Sequence, residues 1–147
     1  GEVMNSLFDL IFYQALDRHP GLKIVLVENE IGWIPFSLQQ WGYYLGRHRD
    51  REPGPAPDKL PSEYLASQIY ATFFNDPIGT RYLSSWGEDA CMWSNDYPHA
   101  NSTWPHSREV IAEHLGHLSP ETRTKVLSTN VSRLYDIEVP SNPSHSP

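Results

Sequence analysis

Three short apolar runs, each leading into polar residues, constrain the fold of this chain most strongly. Residues 24–27 read Ile-Val-Leu-Val, residues 68–74 are rich in aromatic and β-branched side chains, and residues 90–93 read Ala-Cys-Met-Trp. Runs that are continuously apolar rather than alternating predict strands covered on both faces, as in parallel sheets. Strands that alternate with helical patterns are typical of an α/β protein.

Apolar residues at helical spacing predict helices before and between these strands. The first helix is expected to begin at a cap at Ser6 and to end at residues 19–21, where His-Pro-Gly disfavours helix. The second has Pro35 in its first turn, a position that suits proline. Residues 53–57 read Pro-Gly-Pro-Ala-Pro, and this composition predicts a surface loop.

The C-terminal half predicts three further helices. A short helix is expected over residues 78–86, a longer one from a cap at Ser107, and a last one from Ser119. Residues 138–147 are rich in proline and serine and predict a disordered tail. The last helix is expected to carry an apolar face made of Leu127, Val131 and Leu134.

The predicted order α-β-α-β-α-β-α-α has fewer strands than such sheets usually have. A flavodoxin-like sheet has five strands, and no two further strands fit without breaking the predicted helices. The chain also opens on an amphipathic helix that has no strand before it. We therefore expect the chain to be one part of a longer βα series.

Charge and cysteine content argue against several classes of function. The 147 residues include 11 Lys and Arg against 18 Asp and Glu, a net charge of −7, which offers no basic field to nucleic acid. No apolar run approaches the roughly 20 residues that span a bilayer, so we expect no membrane association. The single cysteine, Cys91, excludes an intramolecular disulfide and a multi-cysteine zinc site and fits a cytoplasmic location.

Six segments carry a more specific signal: residues 22–28, 31–35, 61–64, 92–99, 104–107 and 130–135. The most distinctive part, at positions 94–99, reads Ser-Asn-Asp-Tyr-Pro-His. Together, and in this order, they resemble the amidohydrolase-2 family, the metal-dependent barrel enzymes related to aminocarboxymuconate-semialdehyde decarboxylase. The resemblance covers residues 7–137 and implies the C-terminal part of a (β/α)8 TIM-type barrel, with the three strands as about the sixth to the eighth. A whole barrel needs about 250 residues.

The resemblance implies that Asp96 is the main catalytic residue. In the family, the aspartate of this motif ends the eighth strand, lies beside or on a divalent metal, and handles the proton of the water that the metal activates. The position of Asp96 agrees with this role, because it follows a buried strand and catalytic groups of barrels lie at that end of a strand. The alternative is that Asp96 only caps a turn before Pro98.

Three other residues are candidates for contact with substrate: Glu28, Asn29 and His99. Glu28 lies at the corresponding end of the first strand, where some family members have a histidine near the metal and others a glutamate. Asn29 follows it, with Glu30 as a weaker candidate, and His99 is a candidate pocket wall or proton donor. The His-x-His pair and the fifth-strand histidine of the family have no counterpart here, and we do not expect His99 or His106 to replace them as metal ligands.

Other conspicuous residues are expected to be structural. Cys91 lies inside an apolar run and is predicted to be an inert buried thiol. Asn130 and Arg133 lie near each other on the last helix and are expected to dock it on the barrel. The tryptophans expected to pack in the core or at interfaces are Trp33, Trp86, Trp93 and Trp104.

These expectations combine into one main hypothesis, the C-terminal portion of a metal-dependent amidohydrolase-superfamily enzyme. It would hydrolyse or non-oxidatively decarboxylate a small carboxylated or cyclic substrate. The complete barrel would use a divalent metal, zinc first and manganese second, whereas this chain alone is expected to bind none tightly and to be inactive. Open strand edges predict association with a second copy or with the missing N-terminal strands. The alternative is a non-catalytic α/β interaction module.

Overall fold

A parallel sheet organises the chain in the computed structural model, which describes residues 1–49, 54 and 56–139. Three strands form this sheet, in the spatial order β1-β2-β3. The α/β class and the parallel pairing predicted from the apolar runs are confirmed. The strands are β1 (Ile24–Leu26), β2 (Ile69–Phe73) and β3 (Cys91–Trp93).

Strand β2 lies between the other two, and its burial reflects that position. Its residues Ile69 and Phe73 are almost fully buried, and Ala71 is in register with Cys91 of β3. In β1, Ile24 and Val25 are only half-buried. The prediction that the strands are covered on both faces is therefore confirmed for β2, whereas the described residues leave Ile24 and Val25 of β1 only partly covered.

Two helices precede β1 where the sequence predicts one. Helix α1 spans Glu2–Phe12 and α2 spans Ala15–Arg18, and the break between them has Gln14 in the left-handed region at φ 58°. The expected cap at Ser6 is wrong, since Ser6 lies within α1 and its hydroxyl donates to the carbonyl of Glu2. The apolar face of the helix continues back to Val3, which packs against the core, so the helix begins earlier than the cap pattern indicated.

Helix α3 (Ile34–His48) follows the prediction closely. Pro35 lies in its first turn, and Ile34, Leu38 and Leu45 are buried. A short 3₁₀ helix at Pro61–Tyr64 then leads into β2. Positions 53 and 55 of the predicted proline-rich loop lie outside the described residues, which omit positions 50–53 and 55.

The connection between β2 and β3 is two helical turns rather than one helix over residues 78–86. These are α4 (Pro77–Thr80) and α5 (Leu83–Trp86), separated by a turn at residues 81–82. Helix α6 (Ser107–Leu115) follows β3, and its N-cap is His106. The predicted cap residue Ser107 is therefore the first residue of the helix.

The last helical stretch has an unexpected turn in its middle. It consists of α7 (Pro120–Thr124), a π-helical segment (Lys125–Thr129) and α8 (Asn130–Tyr135), with Ser119 as the N-cap that the sequence predicts. The wider π turn changes which side chains face inward. Thr122, Val126 and Asn130 are buried, whereas the expected core residues Leu127, Val131 and Leu134 are at most half-buried.

One hydrophobic core joins the sheet to these helices. Its members come from α1, α2, α3, all three strands, α5, α6 and the π segment, with Tyr64 of the 3₁₀ helix. Among the described residues, no helix is both long and apolar enough to cross a membrane. The expected tail lies outside the described residues from position 140 onward. The largest fully buried side chains include Tyr64, Phe73, Leu7, Ile11, Ile34 and Leu115.

Candidate functional site

Polar side chains from two non-adjacent strands meet at the carboxyl edge of the sheet. Glu28 lies two residues after β1, and Asp96 and His99 lie in the loop after β3. Because parallel strands present their carboxyl ends at one edge, these loops come together. The potential ligand atoms of Glu28, Asp96 and His99 all lie within 4.8 Å of one another.

Asp96 is the most enclosed member of this cluster. Its side chain is 9% exposed, against 53% for Glu28 and 63% for His99. Asp96 Oδ1 lies 2.8 Å from His99 Nδ1, and Glu28 Oε1 lies 3.6 Å from the same nitrogen. The imidazole therefore stands beside two carboxylates, and a proton on Nδ1 gives Asp96 a hydrogen bond.

Unusual backbone conformations present both carboxylates. Glu28 has φ 59° and Asp96 has φ 58°, in the left-handed region that is uncommon for residues other than glycine. The amide of Glu28 lies 3.4 Å from Thr72 Oγ1 on the central strand. Such conformations often occur where a side chain is held for function.

Asn95 organises the loop that carries Asp96 and His99, a role that sequence reasoning missed. Its side-chain oxygen accepts from the amide of Tyr97 at 3.1 Å. Its carbonyl accepts from the hydroxyl of Ser102 at 2.7 Å and from the amide of Thr103 at 3.0 Å. An asparagine that bonds its own backbone two residues on is the sequence signal of such a turn.

The structure places Asn29 and Glu30 outside the cluster. The Asn29 side chain donates to the carbonyl of Val27 at 2.5 Å. The Glu30 carboxylate accepts the amides of Phe74 and Asn75, at 3.3 and 3.2 Å, just beyond β2. Burial raises the pKa of Glu30 above its ordinary value, although these two amide bonds partly oppose the shift. Glu30 is thus engaged with backbone rather than free to contact a substrate.

Asp76 is the second residue that the sequence reasoning missed. It is buried, and its Oδ2 accepts the amides of Ile31 at 2.8 Å and Gly32 at 2.6 Å. Its Oδ1 accepts the amide of Gly79 at 2.7 Å, which caps α4. An aspartate directly before a proline and a helical turn is a capping signal that could have identified it.

The remaining predicted residues divide between the core and the surface. Cys91 is fully buried, and burial raises the pKa of its thiol, as expected of an inert cysteine. His106 is exposed, and its nearest acidic partner is Glu109 at 4.0 Å, so it takes no part in the cluster. Trp104 is 62% exposed and meets the Tyr97 ring edge-on, with 5.9 Å between centroids. Trp33, Trp86 and Trp93 pack against the core, as predicted. Trp104 does not pack in the core, and the interface position predicted as its alternative stays a prediction.

The cluster has a donor set that suits a divalent metal. It offers two carboxylates and one imidazole, ligands that both zinc and manganese accept. His99 stands among these donors, although the sequence analysis did not expect it to be a metal ligand. Three protein ligands are also the number that catalytic zinc sites commonly have.

Comparison with known proteins assigns this arrangement to a family. The sequence profile of the amidohydrolase family matches residues 4–137. The chain belongs to the amidohydrolase family. This confirms the resemblance carried by the six segments. A comparison with curated protein sequences found no match.

Solved amidohydrolase structures share the fold. The chain superposes on 5-carboxyvanillate decarboxylase from Sphingomonas paucimobilis with a TM-score of 0.74 and 25% identity, over 92% of this chain and 40% of that one. For 2,6-dihydroxybenzoate decarboxylase from Rhizobium, the TM-score is 0.70 at 18% identity, over 91% and 41%. For an amidohydrolase from Mycobacterium avium subsp. paratuberculosis K-10, it is 0.71 at 19%, over 90% and 33%. The chain therefore spans about 40% of the length of these decarboxylases and has the fold of part of a TIM-type amidohydrolase barrel.

Proposed function

We propose that this chain supplies strands six to eight of a metal-dependent amidohydrolase barrel that decarboxylates a small carboxylated aromatic compound. The observation that carries the proposal is the cluster of Glu28, Asp96 and His99 at the carboxyl edge of the parallel sheet. In barrels of this kind, catalytic groups lie at that edge.

The nature of the relatives favours decarboxylation over hydrolysis. Two of the superposed proteins are named for the decarboxylation of 5-carboxyvanillate and 2,6-dihydroxybenzoate. The exposed rings of Tyr97 and Trp104 follow Asp96 in its loop. They offer an aromatic surface on which a substrate ring can pack.

We propose manganese as the metal in place of the zinc first expected. Structures of dihydroxybenzoate decarboxylase from Polaromonas and 5-carboxyvanillate decarboxylase from Novosphingobium were obtained with manganese. In the complete barrel, Asp96 would hold the ion, with Glu28 as a further donor, and His99 Nδ1 would stay available to share a proton with Asp96. A bound divalent ion acts as a Lewis acid that polarises oxygen atoms of the substrate.

The Asp96–His99 pair supplies a route for the proton that the reaction needs. Loss of CO₂ from a ring carbon leaves that carbon an electron pair, and a proton must take the place of the carboxylate. Asp96 Oδ1 and His99 Nδ1, 2.8 Å apart, can hold and exchange one proton. The half-exposed His99 connects this pair to solvent, from which the proton is replaced.

A turnover assay of the enzyme that contains this chain tests the proposal. Purified enzyme with Mn²⁺ is incubated with a panel of hydroxylated benzoates, and CO₂ release is measured. Release from at least one member supports decarboxylation, and the chain by itself should release none. Absence of turnover across carboxylated aromatics and cyclic amides, with no bound metal, would favour the non-catalytic interaction module.

We also propose that the edges of β1 and β3 pair with further strands, from the rest of the barrel or from a second copy. Each of these strands has one partner in the described sheet. Unpaired strand edges are templates for association. Sedimentation of the chain at several concentrations should show dimers or larger species, and a monomer at all concentrations would contradict this part of the proposal.

A further inference from the structure

The loops that follow β1 and β2 hold each other through two carboxylates. Glu30, after β1, accepts the amides of Phe74 and Asn75 at the end of β2. Asp76, after β2, accepts two amides of the loop after β1, those of Ile31 and Gly32. We call this reciprocal pair, Glu30 and Asp76 with the backbone amides that they accept, the loop clamp.

Space around the clamp is as restricted as its hydrogen bonding. A Cβ on Gly32 would lie 3.2 Å from Asp76 Oδ1, closer than nearly all real contacts of this kind. A Cβ on Gly79 would lie 2.5 Å from Asp76 Oδ2. The Asp76 carboxylate is therefore enclosed by backbone from both loops, and neither loop can shift without losing its bonds.

The clamp consists of hydrogen bonds to charged acceptors. Four inter-loop amides and the amide of Gly79 donate to the two carboxylates. Hydrogen bonds to charged acceptors are stronger than neutral ones, so these bonds restrain the loops more than bonds to neutral side chains would.

We infer that Glu30 and Asp76 are positioning residues that fix Glu28 opposite Asp96 and His99. Glu28 lies between Leu26, which is held in the sheet, and Glu30, which is held by the clamp. With both sides fixed, its left-handed backbone keeps Oε1 at 3.6 Å from His99 Nδ1. This inference rests on the proposed function only where it concerns catalysis. The claim that the clamp restrains the loop after β1 does not depend on the proposed function.

Three variants test whether the clamp restrains the loop after β1. In Glu30→Gln, one oxygen becomes an NH₂ group that cannot accept, so the amide of Phe74 or of Asn75 loses its partner. The other clamp variant is Asp76→Ala, because an asparagine could turn its carbonyl toward Ile31 and Gly32 and keep both inter-loop bonds on one oxygen. Glu63→Gln is the matched control, because Glu63 also accepts a backbone amide, that of Leu60 at 2.6 Å, far along the chain from the clamp. Hydrogen exchange of residues 28–32, followed by mass spectrometry below the melting temperature, should be roughly 10- to 100-fold faster in the two clamp variants and unchanged in the control.

A double-mutant cycle tests whether the clamp acts through Glu28. In the complete enzyme, each clamp variant should lower kcat with little effect in a Glu28→Gln background, because the position of that side chain then no longer matters. An equal loss of kcat in both backgrounds would overturn the positioning role. If the parent enzyme releases no CO₂, the proposed function fails, and only the hydrogen-exchange rates then test whether the clamp restrains the loop. Unchanged exchange rates at residues 28–32 in the clamp variants would refute that restraint. Should Asp76→Ala fail to fold, Glu30→Gln, whose carboxylate is less buried, carries both measurements.

Discussion

Asn130 Nδ2 donates to the carbonyl oxygen of Cys91 at 2.8 Å and thereby joins the last helix to β3. The same nitrogen donates to the carbonyl of Glu88 at 2.7 Å, and Arg133 donates to that of Asp89. Asn130 is fully buried. The docking role predicted for Asn130 and Arg133 is confirmed, and it is achieved by bonds from side chains to backbone carbonyls.

Replacing Asn130 should therefore destabilise the chain. Asn130→Ala removes the two hydrogen bonds that the side chain donates and the weak one that it accepts from Arg133, and it takes this donor away from the buried carbonyl of Cys91. We expect a cost of about 2 to 3 kcal/mol of unfolding free energy. Urea titration would measure the loss. Asn101→Ala, at an exposed asparagine, is the control and should change stability by less than about 0.5 kcal/mol. Equal effects of the two substitutions would contradict the docking role.

The sequence predicted the fold well where one face of an element is apolar. The three strands, α3 and the cap at Ser119 follow from local patterns that tertiary contacts reinforce. The break at Gln14 and the π turn before Asn130 could not be predicted, because both depend on how the helix meets the core rather than on its periodicity.

The sequence predicted the residues whose side chains form the candidate site, but it did not predict the residues that hold the loops of the site in place. Glu28, Asp96 and His99 were each singled out, and the topology of parallel strands brings them together; their roles stay predictions. The cap that Asp76 forms with Gly79 could have been predicted, but its bonds to the loop after β1 could not, because those backbone amides are about 45 residues away in sequence. Local spacing cannot reveal such a contact.

Gly79→Ala should disturb the loop clamp by steric conflict. The new Cβ would lie 2.5 Å from Asp76 Oδ2 and 2.6 Å from Ile31 Cγ1, which forces a shift and costs about 1 to 3 kcal/mol of unfolding free energy. Gly42→Ala is the control, since nothing lies within 4 Å of a Cβ at that position in α3. It should raise stability by about 0.5 to 1 kcal/mol. Thermal melts of both variants decide the matter, and a stable Gly79→Ala would refute the close packing.

The Glu88 carboxylate should make stability depend on acid pH. Hydrogen bonds from Lys125, at 2.7 Å, and from Thr122 lower the pKa of Glu88 below its ordinary value of 4.5. The contribution of Glu88 to the unfolding free energy is therefore complete at pH values above its ordinary pKa. It is lost as the pH falls through the lower pKa of the folded state. Glu88→Gln should reduce unfolding free energy at pH 7 by less than about 1 kcal/mol, with the difference vanishing in acid. Urea titrations from pH 7 to pH 3 measure this, and a difference independent of pH would be contrary to it.

Metal titration of the chain should reveal weak binding through the cluster. Three donors, two of them at least half-exposed, should bind Mn²⁺ more weakly than about 1 μM. Glu28→Gln and His99→Ala should weaken that binding further, whereas His106→Ala, in an exposed position outside the cluster, should not. Titration calorimetry of the parent chain and of the three variants measures these affinities. Sensitivity to His106 instead of His99 would place the ion elsewhere in the loop.

Asp96→Asn is the sharpest substitution for the proposed chemistry. Asparagine keeps the shape of the side chain and tolerates the left-handed backbone at φ 58°, so the fold should persist. What it removes is the charge that can hold a metal or accept a proton. If Asp96 only caps a turn before Pro98, asparagine would serve equally well.

The turnover of the Asp96→Asn enzyme, measured with saturating Mn²⁺ beside the melting temperature of the same sample, tests the central claim most directly. We predict a loss of about 10²- to 10⁴-fold in kcat with little change in melting temperature. Activity within a few-fold of the parent would remove Asp96 from catalysis and contradict the account.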